Sequence, residues 1–139
     1  MEALKINQLE QLYHHKQEKI SFEISRLKKE KNELLSKIAS YQVLIQDLHL
    51  HHTQCKQQAY GNTFFNKFMS IDEIKKIRSS LQQPLKDISK HKQIQQQITE
   101  QINRLDEQII VLIRQLQFCI IKREKYAYFN AYRQCRNLE

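Results

Sequence analysis

The chain has almost none of the residues that interrupt a helix: its 139 residues include one glycine, one proline and no tryptophan. Glycine and proline supply most tight turns, so their scarcity argues against sheets joined by hairpins and against long loops. The chain is rich in Lys, Glu, Gln, Leu and Ile, whose side chains lose little rotamer freedom in a helix. The composition therefore predicts an all-α protein, and the length fits a single domain covering residues 1–139.

Long apolar runs are also missing, since the longest aliphatic run, Ile109–Ile113, is far too short to span a bilayer. The N-terminus lacks a basic start followed by apolar residues, so no secretory signal is expected. Three cysteines cannot form a closed disulfide framework. We therefore expect a protein of a reducing, cytosolic compartment, unless another component carries it elsewhere.

Two apolar stripes with the spacing of a coiled coil run along the chain. The stripe in the second half steps by alternating threes and fours from residue 77 and is apolar at Ile98, Ile102, Leu105, Ile109, Leu112, Leu116 and Cys119. The stripe in the first half consists of Ile20, Ile24, Leu27, Leu34, Ile38, Tyr41, Ile45, Leu48 and Cys55. Two such stripes predict two long helices that bury these faces against each other, as an antiparallel coiled-coil hairpin.

The predicted helix boundaries follow from local signals. Gly61-Asn62-Thr63 is expected to end helix one, about residues 6–60, because Gly and Asn tolerate the left-handed conformation of a helix end. Ser70-Ile71-Asp72-Glu73 has the form of a capping box and starts helix two, about residues 70–137. The segment 61–69 is the predicted loop.

Three further expectations concern the regularity of the hairpin. Pro84 lies within the second stripe, where it is expected to kink or to end helix two. With the turn centred near residue 65, facing residues sum to about 131, which brings the seam residue Lys31 close to Glu100. Leu9 and Leu12 lie one position out of the register of the first stripe, which predicts a stutter there.

The net charge of +8 is concentrated near the C-terminus. Between residues 114 and 136, six basic residues accompany a single acidic one, Glu124. An acidic partner surface is therefore implied, which can belong to a protein, a nucleic acid or a membrane.

The chemistry-bearing residues give little support for catalysis or for metal binding. His51, His52 and Cys55 have the three- and four-residue spacing of metal ligands on one helical face, but no second ligand pair accompanies them. No nucleophile elbow, phosphate-binding loop or Cys–His arrangement with an orienting group is present. We expect no metal site, no cofactor and no enzymatic activity.

Two segments remain as candidate binding sites. Phe64, Phe65, Phe68 and Met69 fall at the predicted loop, where they either cap the hairpin or dock into a partner groove. The run from Lys122 to Arg133 mixes cations with aromatic residues, a composition found in sites for single-stranded nucleic acid and in protein interfaces. A two-helix protein lacks the concave platform used for base stacking, so a protein partner is favoured.

The helix start Ser70-x-x-Glu73-Ile74, the Ile/Leu/Gln-rich stripe, and the closing runs Arg123-Glu124-x-Tyr126 and Tyr132-Arg133-Gln134 occur in a fixed order. In these features the segment Met69–Arg136 resembles the central stalk proteins of type III secretion ATPases, the YscO/FliJ class. It is most similar to the InvI/SpaM-type branch of invasion-associated secretion systems.

The resemblance implies a non-enzymatic, two-helix stalk that promotes ATPase activity and protein export. The end that carries both termini enters the pore of a hexameric secretion ATPase, a role that falls on Lys5, Arg123, Lys125, Arg133 and Arg136. The opposite end reaches the cytoplasmic domain of the export gate in the inner membrane, a role that falls on Phe64, Phe65, Phe68 and Met69. Secretion chaperones are a further candidate partner, nucleic acid is not a partner, and the membrane is reached only through partners.

Other functions stay open at this point. A passive coiled-coil tether, or a homodimer of extended helices, has the same apolar stripes. Two chains can also exchange helices through the segment 61–69. A basic rod that binds nucleic acid is the remaining alternative, and it requires an affinity that falls steeply with salt.

Overall fold

The computed structural model consists of two helices, α1 (Glu2–Phe65) and α2 (Ile71–Asn137), and describes side chains for residues 4–58 and 71–136. The helices pack against each other in antiparallel directions, so the predicted all-α helical hairpin is confirmed. Across the described residues, neither helix contains a stretch apolar enough to cross a membrane.

Helix α1 runs five residues beyond its predicted end at residue 60 and passes through Gly61 without interruption. A single glycine in a helix costs only about 1 kcal/mol relative to alanine, and it does not end the helix unless the backbone turns left-handed there. Within the described backbone no residue has a positive φ. The expected break at Gly61-Asn62-Thr63 is therefore wrong, and Phe68 and Met69 of the predicted loop lie outside the described residues.

Helix α2 begins within one residue of its predicted start. Asp72 and Glu73 lie in its first turn, where their negative charge is favourable against the helix dipole, and Ser70 lies outside the described residues. The helix continues through Pro84, which is buried, so of the two expected outcomes a stop is excluded. Proline has no N–H group, so the carbonyl of Ser80 lacks its usual partner one turn ahead.

Short polar side chains within both helices bond to the backbone of their own helix. The hydroxyls of Ser40, Thr53 and Thr99 donate to the carbonyl four residues earlier, at 2.9–3.1 Å. On the outer surface the Arg26 guanidinium donates to the carboxylate of Glu23, and this hydrogen bond lowers the pKa of Glu23. Each of these hydroxyls shares a carbonyl that also accepts the helix N–H of its own residue, so its polar group is satisfied within the helix.

The chain divides into two compact units, residues 33–102 and the combination of 1–32 with 103–139. In unit 2 (33–102) the seam is formed by the residues that the stripes predict. Ile45, Pro84, Ile88, Ile98 and Ile102 are buried there. Seam positions 34, 38, 41, 48, 52 and 55 of α1 are half-buried, as are 77, 81, 91 and 95 of α2. The ring centroids of Tyr41 and His91 lie 5.6 Å apart, so these two residues at seam positions also pack against each other.

In unit 1 (1–32 with 103–139) the most buried side chains are Ile24, Leu27, Leu105, Ile109 and Cys119. All of them were predicted from the two stripes. Burial of apolar area at about 25 cal/mol per Å² is the main favourable contribution to this packing. No polar or charged side chain among the described residues is fully buried, so the seam core of the unit is apolar.

The register of the helices differs from the prediction. Lys31 Nζ lies 2.7 Å from Asp106 Oδ1, which gives a sum of 31 and 106, or 137, in place of about 131. The predicted proximity of Lys31 to Glu100 is therefore replaced by this ion pair. In unit 2 the contact between Tyr41 and His91 gives a sum of 132, close to the prediction, so the difference is found in unit 1. A polar residue at a seam position fixes alignment, and here Asp106 provides its partner.

The stutter expected at Leu9 and Leu12 is absent from the burial pattern. Leu12 is exposed and Leu9 is half-buried, while residues 6, 10, 13, 17 and 20 are all half-buried and continue the three–four spacing of the stripe. Three of these positions carry Glu10, Tyr13 and Gln17, which an apolar pattern does not detect. The seam of α1 thus keeps one register down to Ile6.

A zero-length carbodiimide cross-link is expected to join Lys31 to Asp106, because the reagent couples only amines and carboxylates in direct contact. Peptide mapping by mass spectrometry should show this product and no Lys31–Glu100 product. The variant Asp106→Asn should lose the cross-link while retaining its helix content. Dominant coupling of Lys31 to Glu100 would support the predicted pairing, in which facing residues sum to about 131, and would contradict the structure.

The variant Pro84→Ala is expected to raise the free energy of unfolding by about 1–3 kcal/mol, because alanine restores the N–H group that the carbonyl of Ser80 lacks. Chemical denaturation followed by far-ultraviolet circular dichroism measures this gain. Gln82→Ala on the exposed side of the same helix is the control and should change stability by less than about 0.5 kcal/mol. A loss of stability in Pro84→Ala would mean that packing of the proline ring outweighs the missing bond.

Candidate functional site

The seam of unit 1 changes character beyond Cys119. Continuing the three–four spacing along α2 gives Arg123, Tyr126, Asn130 and Arg133, all of which are half-buried. The facing part of α1 carries Glu10, Tyr13 and Gln17 at its seam positions. The end of the unit that holds the N- and C-terminal segments is thus joined by polar and aromatic side chains. We call these seven residues the polar seam.

Hydrogen bonds connect the two helices across the polar seam. Arg123 Nη1 donates to Gln17 Oε1 at 3.1 Å. Asn130 Nδ2 donates to Glu10 Oε2 at 2.8 Å and to Asn7 Oδ1 at 2.7 Å. Each of these contacts joins residues more than a hundred positions apart in the chain, so they fix the pairing of the two terminal segments.

Aromatic packing accompanies these bonds. The ring of Tyr13 stacks on that of Tyr126 with centroids 5.8 Å apart, and it meets Phe118 edge-on at 6.4 Å. Lys16 Nζ lies 5.2 Å from the centroid of the Tyr13 ring. The rings provide the apolar contact area at this end that leucine and isoleucine provide in the middle of the seam.

The five cations assigned to the ATPase-facing end divide into two groups. Lys5, Lys125 and Arg136 are exposed, and Arg136 lies in the last turn of α2. Arg123 and Arg133 belong to the polar seam and are half-buried. Only the first group has its charge fully exposed to the surroundings. Arg123 also donates a hydrogen bond to Gln17 that holds the two helices together.

The residues assigned to the gate-facing end cannot be placed as side chains. Phe64 and Phe65 belong to the last turn of α1, but their side chains lie outside the described part of the structure, as do Phe68 and Met69 entirely. Their role as a docking knob stays a prediction.

The histidine-rich segment of α1 gives one close pair. His51 Nε2 and Cys55 Sγ lie 3.5 Å apart, one helical turn from each other. Over residues 4–58 and 71–136, no group of three or more His, Cys, Asp or Glu side chains has the geometry to hold a metal ion. Near the N-terminus, His14 Nε2 lies 2.9 Å from Glu18 Oε1, a surface pair within α1.

Sequence reasoning missed Asn7, Glu10, Gln17 and Asn130 as members of an inter-helix network. A search for apolar residues stops at Ile20 in α1 and at Cys119 in α2. The missing signal is positional: extending the same alternation of three and four past these residues, without regard to polarity, identifies Glu10, Gln17 and Asn130 directly.

Comparison with protein-family models, with curated proteins and with solved structures finds no match to this chain.

Replacing one hydrogen-bonded pair of the polar seam by leucines is expected to stabilise the protein. The double variant Gln17→Leu with Arg123→Leu should raise the free energy of unfolding by about 1–3 kcal/mol, because polar seam residues cost stability relative to well-packed apolar ones. Thermal denaturation followed by circular dichroism measures the change. Arg123→Leu alone should gain less, since Gln17 then loses its partner across the seam.

Gln117→Leu is the matched control, because residue 117 lies on the same helix and is exposed. This substitution should leave stability within about 0.5 kcal/mol of the original. Destabilisation by the double variant would show that the Arg123–Gln17 contact contributes more than the apolar packing that replaces it.

Proposed function

We propose that this chain is the non-enzymatic central stalk of a type III secretion system. In this role it links a cytoplasmic hexameric ATPase to the export gate of the inner membrane and promotes ATP hydrolysis and protein export. The observation that carries the proposal is the exposed cationic surface of Lys5, Lys125 and Arg136, borne by the N- and C-terminal segments of the antiparallel helices.

The side-by-side arrangement of the two terminal segments supports this role. Asn130 and Asn7 are in hydrogen-bond contact at 2.7 Å, so cations from the start of α1 and the end of α2 lie at the same end of unit 1. A pore lined by acidic groups would attract such a surface at long range and orient it before contact. The sequence resemblance of the segment Met69–Arg136 to stalk proteins gives the same assignment.

A mechanism follows from symmetry. A pair of helices cannot present the same surface to six identical subunits, so the subunits around it experience unequal contacts. Unequal contacts differ in free energy, and a ligand shifts a conformational equilibrium only by such a difference. The stalk would thereby favour one nucleotide state in some subunits over others, which promotes ring assembly and sequential hydrolysis.

The opposite end of the hairpin is assigned to the export gate. Phe64, Phe65, Phe68 and Met69 supply a concentration of large apolar side chains near the connection between the helices. Clusters of large apolar side chains are typical of protein docking sites, which suits this role. The protein would then reside in the cytoplasm, peripheral to the inner-membrane apparatus, with secretion chaperones as additional candidate partners.

Adding the chain to the purified ATPase of its secretion system is expected to raise the rate of ATP hydrolysis. The triple variant Lys5→Glu, Lys125→Glu, Arg136→Glu should lose at least about half of this stimulation, because charge reversal turns attraction to an acidic pore into repulsion. A coupled assay of ADP release measures the turnover. None of the three residues lies in the polar seam, so the helix pairing should survive the changes.

A control variant with the same change of charge carries Lys37→Glu, Lys90→Glu and Lys92→Glu, three exposed positions of unit 2. It should stimulate the ATPase as the unaltered chain does. Equal loss in both variants would indicate a nonspecific effect of net charge. An absence of stimulation by the unaltered chain would favour the passive tether.

A further inference from the structure

A second heptad stripe runs along α2 on the side away from the seam. Its positions alternate by threes and fours, and every one of them is exposed. The stripe, here called the outer stripe, consists of Val111, Arg114, Phe118, Ile121, Lys125, Tyr128 and Tyr132. Five of these seven residues are apolar or aromatic, so this is a coiled-coil pattern without a partner helix.

The outer stripe is displaced by two residues from the seam positions of α2. Each residue turns a helix by about 100°, so a displacement of two residues rotates the stripe by about 200° to the opposite face. Val111 thus follows Ile109, and Ile121 follows Cys119, which are both buried against α1. Packing of α1 with α2 therefore leaves most of the outer stripe uncovered, although Phe118 also meets the Tyr13 ring of α1 edge-on.

The exposure of this stripe is unusual for a surface helix. Phe118, Ile121 and Tyr128 are 54%, 64% and 68% exposed. A helix that packs on one side normally carries polar residues on its other face, and one that is apolar on both faces is buried on both. From Val111 to Tyr132 the stripe covers 22 residues, or roughly 33 Å at 1.5 Å per residue, which is about three heptads.

The charge around the stripe identifies the chemistry of its partner. Arg114 and Lys125 are members of the stripe, and Lys122 Nζ lies 5.5 Å from the centroid of the Phe118 ring. Lys125 Nζ lies 5.9 Å from the centroid of the Phe129 ring. Glu124 is the single acidic residue between positions 111 and 132. A covering surface must therefore be apolar along its centre and acidic along its edges.

From this pattern we propose that the outer stripe binds an amphipathic helix of a partner protein, with an apolar heptad seam flanked by Glu or Asp. The three–four spacing matches the geometry of a helix partner. A second copy of this chain is disfavoured because it would bring the same excess of cations to the interface. Single-stranded nucleic acid fits less well, because a convex helix face lacks a groove that follows a phosphate backbone.

The proposal does not depend on the stalk function. Lys125 belongs to both the outer stripe and the cationic surface, so the variants chosen here leave it unchanged. Ile121 and Tyr128 are the informative positions, because both are large, exposed members of the stripe that lie outside the seam positions. Phe118 is left unchanged because its ring also contacts Tyr13 of α1. Serine at positions 121 and 128 removes apolar and aromatic area without changing the charge of the surface.

The test measures binding of the full chain to two labelled synthetic helical peptides of about 28 residues, or four heptads. Both peptides carry Ile and Leu at the seam positions, with Glu at the flanking positions of one and Lys at those of the other. Fluorescence anisotropy should give a micromolar Kd for the acidic peptide and binding at least about tenfold weaker for the basic one. The affinity for the acidic peptide should fall with added salt.

The double variant Ile121→Ser, Tyr128→Ser should weaken binding of the acidic peptide by at least about tenfold, with unchanged helix content by circular dichroism. Val43→Ser with Leu50→Ser is the matched control, since these residues are 56% and 60% exposed on α1. The control variant should bind as the unaltered chain does. Loss of binding in this variant too would place the contact elsewhere and overturn the proposal.

Three further outcomes would overturn the proposal. Equal affinity for the acidic and basic peptides would show that charge does not select the partner. Sedimentation of the chain alone as a dimer that Ile121→Ser, Tyr128→Ser dissociates would assign the stripe to a second copy. Displacement of the acidic peptide by equimolar poly(U) would assign it to single-stranded nucleic acid.

Discussion

The mutual burial of two apolar seams is the interaction on which the rest of the structure depends. Each helix has a seam face to cover, and in unit 1 Ile24 and Leu27 of α1 are buried together with Leu105 and Ile109 of α2. Among the described residues no side chain is completely enclosed, because two helices alone cannot surround a residue on every side. The described residues therefore offer little core in which to build an enclosed site.

Polar residues give the two helices a unique alignment, which the apolar seam alone cannot provide. Apolar heptads can slide by one repeat with little penalty, whereas a charged or hydrogen-bonded pair is satisfied in one register only. The Lys31–Asp106 ion pair and the Asn130 contacts to Asn7 and Glu10 do this in unit 1. Their individual contributions to stability are small, since each is partly exposed, so their importance lies in specificity.

The fold was predictable because the heptad spacing is a property of the sequence alone. From Ile20 to Cys55 each stripe position of α1 is buried or half-buried. The end of α1 was not predictable from Gly61, because glycine tolerates the left-handed conformation without requiring it. The polar seam was not predicted, because the burial of Glu10 and Gln17 depends on their partners on α2. Local hydrophobicity does not reveal those partners. The positive charge at Lys125 and Arg136 could be predicted from the sequence, whereas the hydrogen bond from Arg123 to Gln17 could not.

The polar seam has a consequence for how the molecule moves. Separating the apolar seam exposes leucine and isoleucine side chains to water. Separating Arg123 from Gln17, or Asn130 from Glu10, instead exchanges a hydrogen bond within the protein for one with solvent. The terminal segments can consequently fray and close again at a small fraction of the global unfolding free energy. The polar seam thus allows the terminal segments to separate and fit the surface of a binding partner, while the apolar seam behind them stays packed.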